Sequence, residues 1–134
     1  LELPPAAFAT RDFLSRVVLS SMAPDGVCVC NVIAGRRRLL DVVRLWDDTF
    51  SSVRILATDP NYFLVGTVRP LDAEEATPER MAENMRGWAP LAQITRDVTS
   101  MIVDTARHLR ERTLIGWFTV EEFVVLLHDP DVIV

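Results

Sequence analysis

The chain has 134 residues, 49% of them hydrophobic and 25% charged, a balance that excludes a disordered polymer and fits one compact domain. Its net charge of −5 argues against a general nucleic-acid or acidic-membrane surface, because both need clustered positive charge. All fourteen basic residues are arginine, so lysine chemistry such as a Schiff base is excluded from these residues.

The opening Leu1-Glu2-Leu3-Pro4-Pro5 reads as interior sequence of a longer protein, and its prolines predict an extended loop through Phe8. Thr10 is a natural N-cap, with Asp12 in the first turn. Phe13, Leu14, Val17, Val18 and Ser21 follow at helical spacing. Ala23-Pro24-Asp25-Gly26 predicts a turn. Val27 to Ile33 is short, apolar and rich in valine, which predicts a strand buried on both faces. A second helix is expected from Arg36 to Phe50, with Leu39, Leu40, Val43, Leu45, Trp46 and Phe50 as its apolar positions. Val53 to Ala57 and Tyr62 to Val68, joined through Asp59-Pro60-Asn61, predict an antiparallel hairpin. The strand–helix–strand order predicts a layered α/β domain with a parallel strand pair.

Leu71 to Ala76 is acidic and reads as loop. Thr77-Pro78-Glu79 then gives a helix start, running to Arg86 before Gly87. Gln93 to Arg110 carries Ile94, Val98, Met101, Ile102 and Leu109 as one apolar stripe. Thr119 with Glu122 forms a capping box for a last helix through Leu127, and Asp131 to Val134 reads as a short strand.

No stretch is apolar for a membrane-spanning length, and none has the build of a signal peptide. Cys28 and Cys30 fall on one face of their strand, too close in sequence for a comfortable disulfide and without further metal ligands nearby. They read as buried free thiols, which fits a reducing, cytoplasmic compartment. The five glycines are isolated, so neither a dinucleotide fingerprint nor a P-loop is present. His108 and His128 each read as a charge-complementing residue in a last helical turn. Arg36-Arg37-Arg38 is either a solvated face or, at the carboxyl end of a strand, an anion contact through Arg36. Asn31, the polar residue inside the apolar strand, is either a structural lock or a ligand neighbour.

Several stretches, in order, resemble spermidine-synthase-like class I S-adenosylmethionine-dependent methyltransferases. They are Leu3-Pro4-Pro5-Ala6-Ala7-Phe8, Phe13-Leu14, Asp25-Gly26-Val27 with Cys30-Asn31-Val32-Ile33, Phe50 before the hairpin, and Ala76-Thr77-Pro78-Glu79. The likeness is closest to the methyltransferase-like family acting on elongation factor 1-alpha, and it covers the chain to about Met85. The resemblance implies a Rossmann-like sheet of order 3-2-1-4-5-7-6, in which 27–33, 53–57 and 62–68 are strands five, six and seven. Residues 1–70 would then be the C-terminal half of that domain, and 71–134 a helical extension of it. The resemblance also implies that S-adenosylmethionine is held by an upstream half of the full-length parent and that no cofactor-binding residue lies in this chain. Pro4, Pro5 and Phe8 would border the active site, with Asn31 and Arg36 as further substrate-loop candidates.

The resulting expectation is a fragment of a protein-directed methyltransferase, inactive alone. The alternatives are an aminopropyltransferase homologue and a non-catalytic dimerisation or partner-binding domain. The acidic motif of true spermidine synthases is replaced here by Leu-Glu-Leu-Pro-Pro. An open edge on strand five predicts a homo-oligomer. Neither nucleic acid nor membrane is expected as a partner.

Overall fold

The computed structural model describes residues 10–58, 61–74, 77, 79, 80, 83, 115–132 and 134. The centre of the fold is the hairpin of β2 (Ser52–Thr58) and β3 (Tyr62–Thr67). Ser52 lies opposite Thr67 and Ala57 opposite Tyr62. β2 alternates strictly, with Val53, Ile55 and Ala57 buried and the residues between them half-exposed, the signature of a strand with one face on the core. Asp59 and Pro60 of the expected turn lie outside the described residues; Thr58 N–H donates to the Asn61 carbonyl at 2.9 Å.

β1 (Val27–Val32) pairs with the other edge of β3, and β4 (Ile115–Thr119) with the other edge of β2. The sheet order is β1-β3-β2-β4, and every ladder is antiparallel. The chain is therefore a mixed α/β fold on a four-stranded antiparallel sheet. The expected parallel pair is corrected here. β1 and β2 do run the same way, but β3 lies between them and takes the hydrogen bonds that a parallel pair would have shared.

β1 is also not buried on both faces. It is an edge strand whose Cys28, Cys30 and Val32 turn inward while Val27 and Val29 are each 59% exposed. The run of apolar residues hid this alternation. β4 was not expected at all. Only five residues long, it lies in a stretch whose surroundings have helical periodicity, and it completes the sheet from beyond residue 71.

One face of the sheet carries the core. Val32, Val53, Ile55, Ala57, Tyr62, Leu64 and Phe118 are buried there. α2 (Arg36–Asp47) and α3 (Val120–His128) lie against this face and against each other. α2 contributes Leu39, Val43 and Trp46, and α3 contributes Phe123 and Leu127. Phe123 is fully buried, with ring centroids 5.9 Å from Tyr62 and 5.7 Å from Phe118. The capping box holds: Thr119 Oγ1 accepts from Glu122 N–H at 3.2 Å and donates to Glu122 Oε1 at 2.9 Å.

The first helical segment, α1, is α-helical over Arg11–Phe13 and π-helical over Leu14–Leu19, where a plain α-helix was expected. Thr10 caps it, accepting from Phe13 N–H at 3.1 Å. The wider turn suits the core: Leu14 is buried and Leu19, five residues on, packs against the same cluster, while Val17 is half-exposed. The Ser20 and Ser21 hydroxyls donate to the Arg16 and Val17 carbonyls at the end of this segment.

Thr77 does cap a helix start, accepting from Arg80 N–H at 3.2 Å. The expected helix of Gln93 to Arg110 lies outside the described residues. Asp131 to Val134 form no strand among the described residues; Val132 N–H instead closes a turn on the Asp129 carbonyl.

Gly66 lies under the ring of Phe50, and a Cβ there would stand 2.6 Å from Phe50 Cγ. Phe50 is buried and held by Trp46 at a centroid distance of 4.7 Å, so the ring has little room to retreat. Gly66→Ala is expected to cost about 1–3 kcal/mol of stability, as overpacking does. Urea unfolding checks this; a cost near zero would mean that Phe50 shifts freely.

Candidate functional site

The carboxyl ends of β1 and β2, the start of β3 and the N-terminus of α2 share one end of the sheet. This rim is where the candidate residues of the sequence fall. Asn31 is exposed, not buried as its apolar neighbours suggested, because it shares the outward parity of Val27 and Val29 on an edge strand. Its Nδ2 donates to Asn61 Oδ1 at 3.0 Å. Asn61 is fixed in turn by its carbonyl, which accepts from Thr58 N–H. The pair leaves an amide oxygen on Asn31 and an amide NH₂ on Asn61 without hydrogen bonds to other described residues. Asn61 read only as a turn residue; its role depends on the pairing of β1 with β3, which local sequence does not encode.

Arg36 has a different occupation. Its guanidinium donates to the carbonyls of Leu127 at 2.5 Å, Asp129 at 2.7 Å and Val132. These belong to the end of α3 and the turn after it, so Arg36 supplies donors that a helix C-terminus lacks and places positive charge at the negative end of its dipole. Its fork is filled by main chain. Arg37 and Arg38 are exposed, the solvated alternative. Pro4, Pro5, Phe8 and His108 lie outside the described residues, so only Asn31 and Arg36 of the substrate-loop candidates can be placed. They share the rim and no contact between them is described.

His128 is exposed at the end of α3, with Nδ1 2.7 Å from the Val124 carbonyl. A carbonyl only accepts, so Nδ1 carries the proton. Cys28 and Cys30 are free and half-buried, and burial pushes both thiols up, Cys30 further through the neighbouring Cys28. Raised thiols stay protonated at neutral pH and are poor nucleophiles. Among the described residues no group of three or more His, Cys, Asp or Glu side chains could hold a metal ion. No helix among them is long and apolar enough to cross a membrane. At the rim the Asn31–Asn61 pair offers neutral hydrogen bonding beside the exposed Arg37 and Arg38.

The turn from β1 to α2 holds a single glycine, Gly35, and so has no Gly-rich phosphate loop. The first helical residue, Arg36, spends its donors on the chain itself.

No family model, no curated protein and no solved structure matches the chain.

Far from the rim, Asp47 ends α2 beside Asp48 and near Glu121 at the start of α3. Partial desolvation, then the Glu121 and Asp48 charges, push its carboxyl above the ordinary value of 3.8. A folded-state pKa above the unfolded one means that the charged form costs stability at neutral pH. The cost disappears as pH falls through the raised pKa. Asp47→Asn should therefore raise Tm at pH 7 and give no advantage at pH 3, as paired thermal melts would read.

Arg36→Ala should destabilise by about 2 kcal/mol or more, because charge-assisted bonds are lost and carbonyls are left unsatisfied. Arg37→Ala and Arg38→Ala should each change stability by less than about 0.5 kcal/mol. Equal effects at all three positions in urea unfolding would refute the assigned role of Arg36.

Proposed function

We propose that this chain is the C-terminal portion of an S-adenosylmethionine-dependent methyltransferase acting on a protein, and that it is inactive without the cofactor-binding half of its parent. The observation that carries this reading is the strand order. β1, β3 and β2 stand side by side with the middle strand antiparallel, and α2 crosses between the outer two. Mapped onto strands five, seven and six of the resembling family, this is the order that the family's sheet requires. β4 lies beyond strand six and is an addition to that scheme.

In this reading the chain's part is positional. The methyl donor brings its own activated group, and the protein's work is to hold the acceptor in line. The Asn31–Asn61 pair suits that work, since an amide acceptor and an amide donor side by side complement a peptide group. Neither can move a proton at neutral pH. The amide pair supports a polypeptide acceptor over a polyamine, whose ammonium groups would call for carboxylates. For aminopropyl transfer we find no supporting observation.

Calorimetric titration of S-adenosylmethionine into this chain and into a longer form carrying the upstream half tests the reading. Binding is expected to the longer form alone. Binding to neither would sink the methyl-transfer reading, and binding to the short chain would mean that the cofactor site lies in these residues and that the strand mapping is wrong.

A further inference from the structure

The outer edge of β1 pairs with no described strand, and it has none of the devices that keep such an edge from pairing. Val27 to Val32 contains no charge and no proline, and Val27 and Val29 stand out from it at 59% exposure. Its charges lie just outside its two ends, and they are opposite in sign. Asp25 precedes it in an exposed turn, and exposed Arg37 and Arg38 follow it. None of the three makes an ion pair with another described residue.

We propose that this edge is a self-association surface, where β1 of a second copy pairs antiparallel about a two-fold axis. The charge pattern selects both partner and direction. Antiparallel self-pairing brings Asp25 of each copy toward Arg37 and Arg38 of the other, twice by symmetry, whereas parallel pairing would bring like charges together. In a chain of net charge −5, the uncharged strand is also a place where two copies can meet without repulsion.

Pleat parity requires outward residues to meet outward residues, which permits more than one register; the proposed one is centred on Val29, so that Val29 lies opposite the second copy's Val29 and Val27 opposite its Asn31. On the inner face Cys28 then lies opposite the second copy's Cys30. Directly opposed residues of antiparallel neighbours have Cα atoms about 4.5–5.5 Å apart, within the span of a disulfide. The sheet becomes eight-stranded, and the half-buried cysteines of both copies come under a continuous core face. Two six-residue edges bury less than the ~1,200 Å² of a standard interface, so the association is weak and is read at high protein concentration.

This proposal competes with the methyl-transfer reading for one edge, since strand four of the parent would lie against strand five there, and its readout is a mass and not a cofactor. Multi-angle light scattering across a concentration series should show the mass rising toward that of a dimer, less so at high salt. Asp25→Arg should abolish the rise, as should Arg37→Asp with Arg38→Asp; combining all three should restore it. Copper phenanthroline, taking two electrons from a pair of thiols as their protons leave, should link copies through Cys28 and Cys30. Cys28→Ser and Cys30→Ser should each lose that link. A mass that stays monomeric at every concentration, or a dimer indifferent to Asp25→Arg, overturns the proposal. So does a longer parent form that is monomeric in the same assay, because an upstream strand would then hold this edge.

Discussion

β3 is the strand on which the architecture depends, because it alone is hydrogen-bonded to β1 and β2 at once. Its pleat sets the faces of both neighbours. Tyr62 and Leu64 point to the core, so Val32 and Cys30 must point there from one side, and Ala57 and Ile55 from the other. A one-residue slip of either ladder would turn the core residues of β1 or β2 to the other face. Gly66, next along the same side, gives the space that Phe50 fills, so the link from α2 to β2 is pinned to the same strand.

What local chemistry dictates was legible in the sequence. The hairpin followed from two β-branched runs around Asp59-Pro60-Asn61, the caps from Thr10, Thr77 and Thr119, and the second helix from its apolar spacing. What depends on distant pairing was not. The sequence of β1 is the same whether its neighbour is parallel or antiparallel, buried or open, and only its place at the edge makes Asn31 an exposed residue. β4 has five residues, too few for periodicity to separate strand from helix, and its stability comes from β2. Arg36 shows the same limit at the rim. Its neighbours in sequence suggest an anion contact, and its partners come from residues 127–132.

The rim and the edge describe complementary sides of one proposition. The Asn31–Asn61 pair presents a neutral amide acceptor and an amide donor side by side. The same β1 that bears Asn31 at its end presents the unpaired edge, so whatever occupies that edge lies beside the amide pair.

The Arg36 clamp joins points 91 to 96 residues apart along the chain. Contacts of such separation close the largest loops and form only after local structure exists, because loop-closure entropy must be met first. The hairpin and α2 need no such closure. β4 and α3 share one core cluster with β1, β2 and β3, so these distant contacts complete a core that the earlier elements leave open.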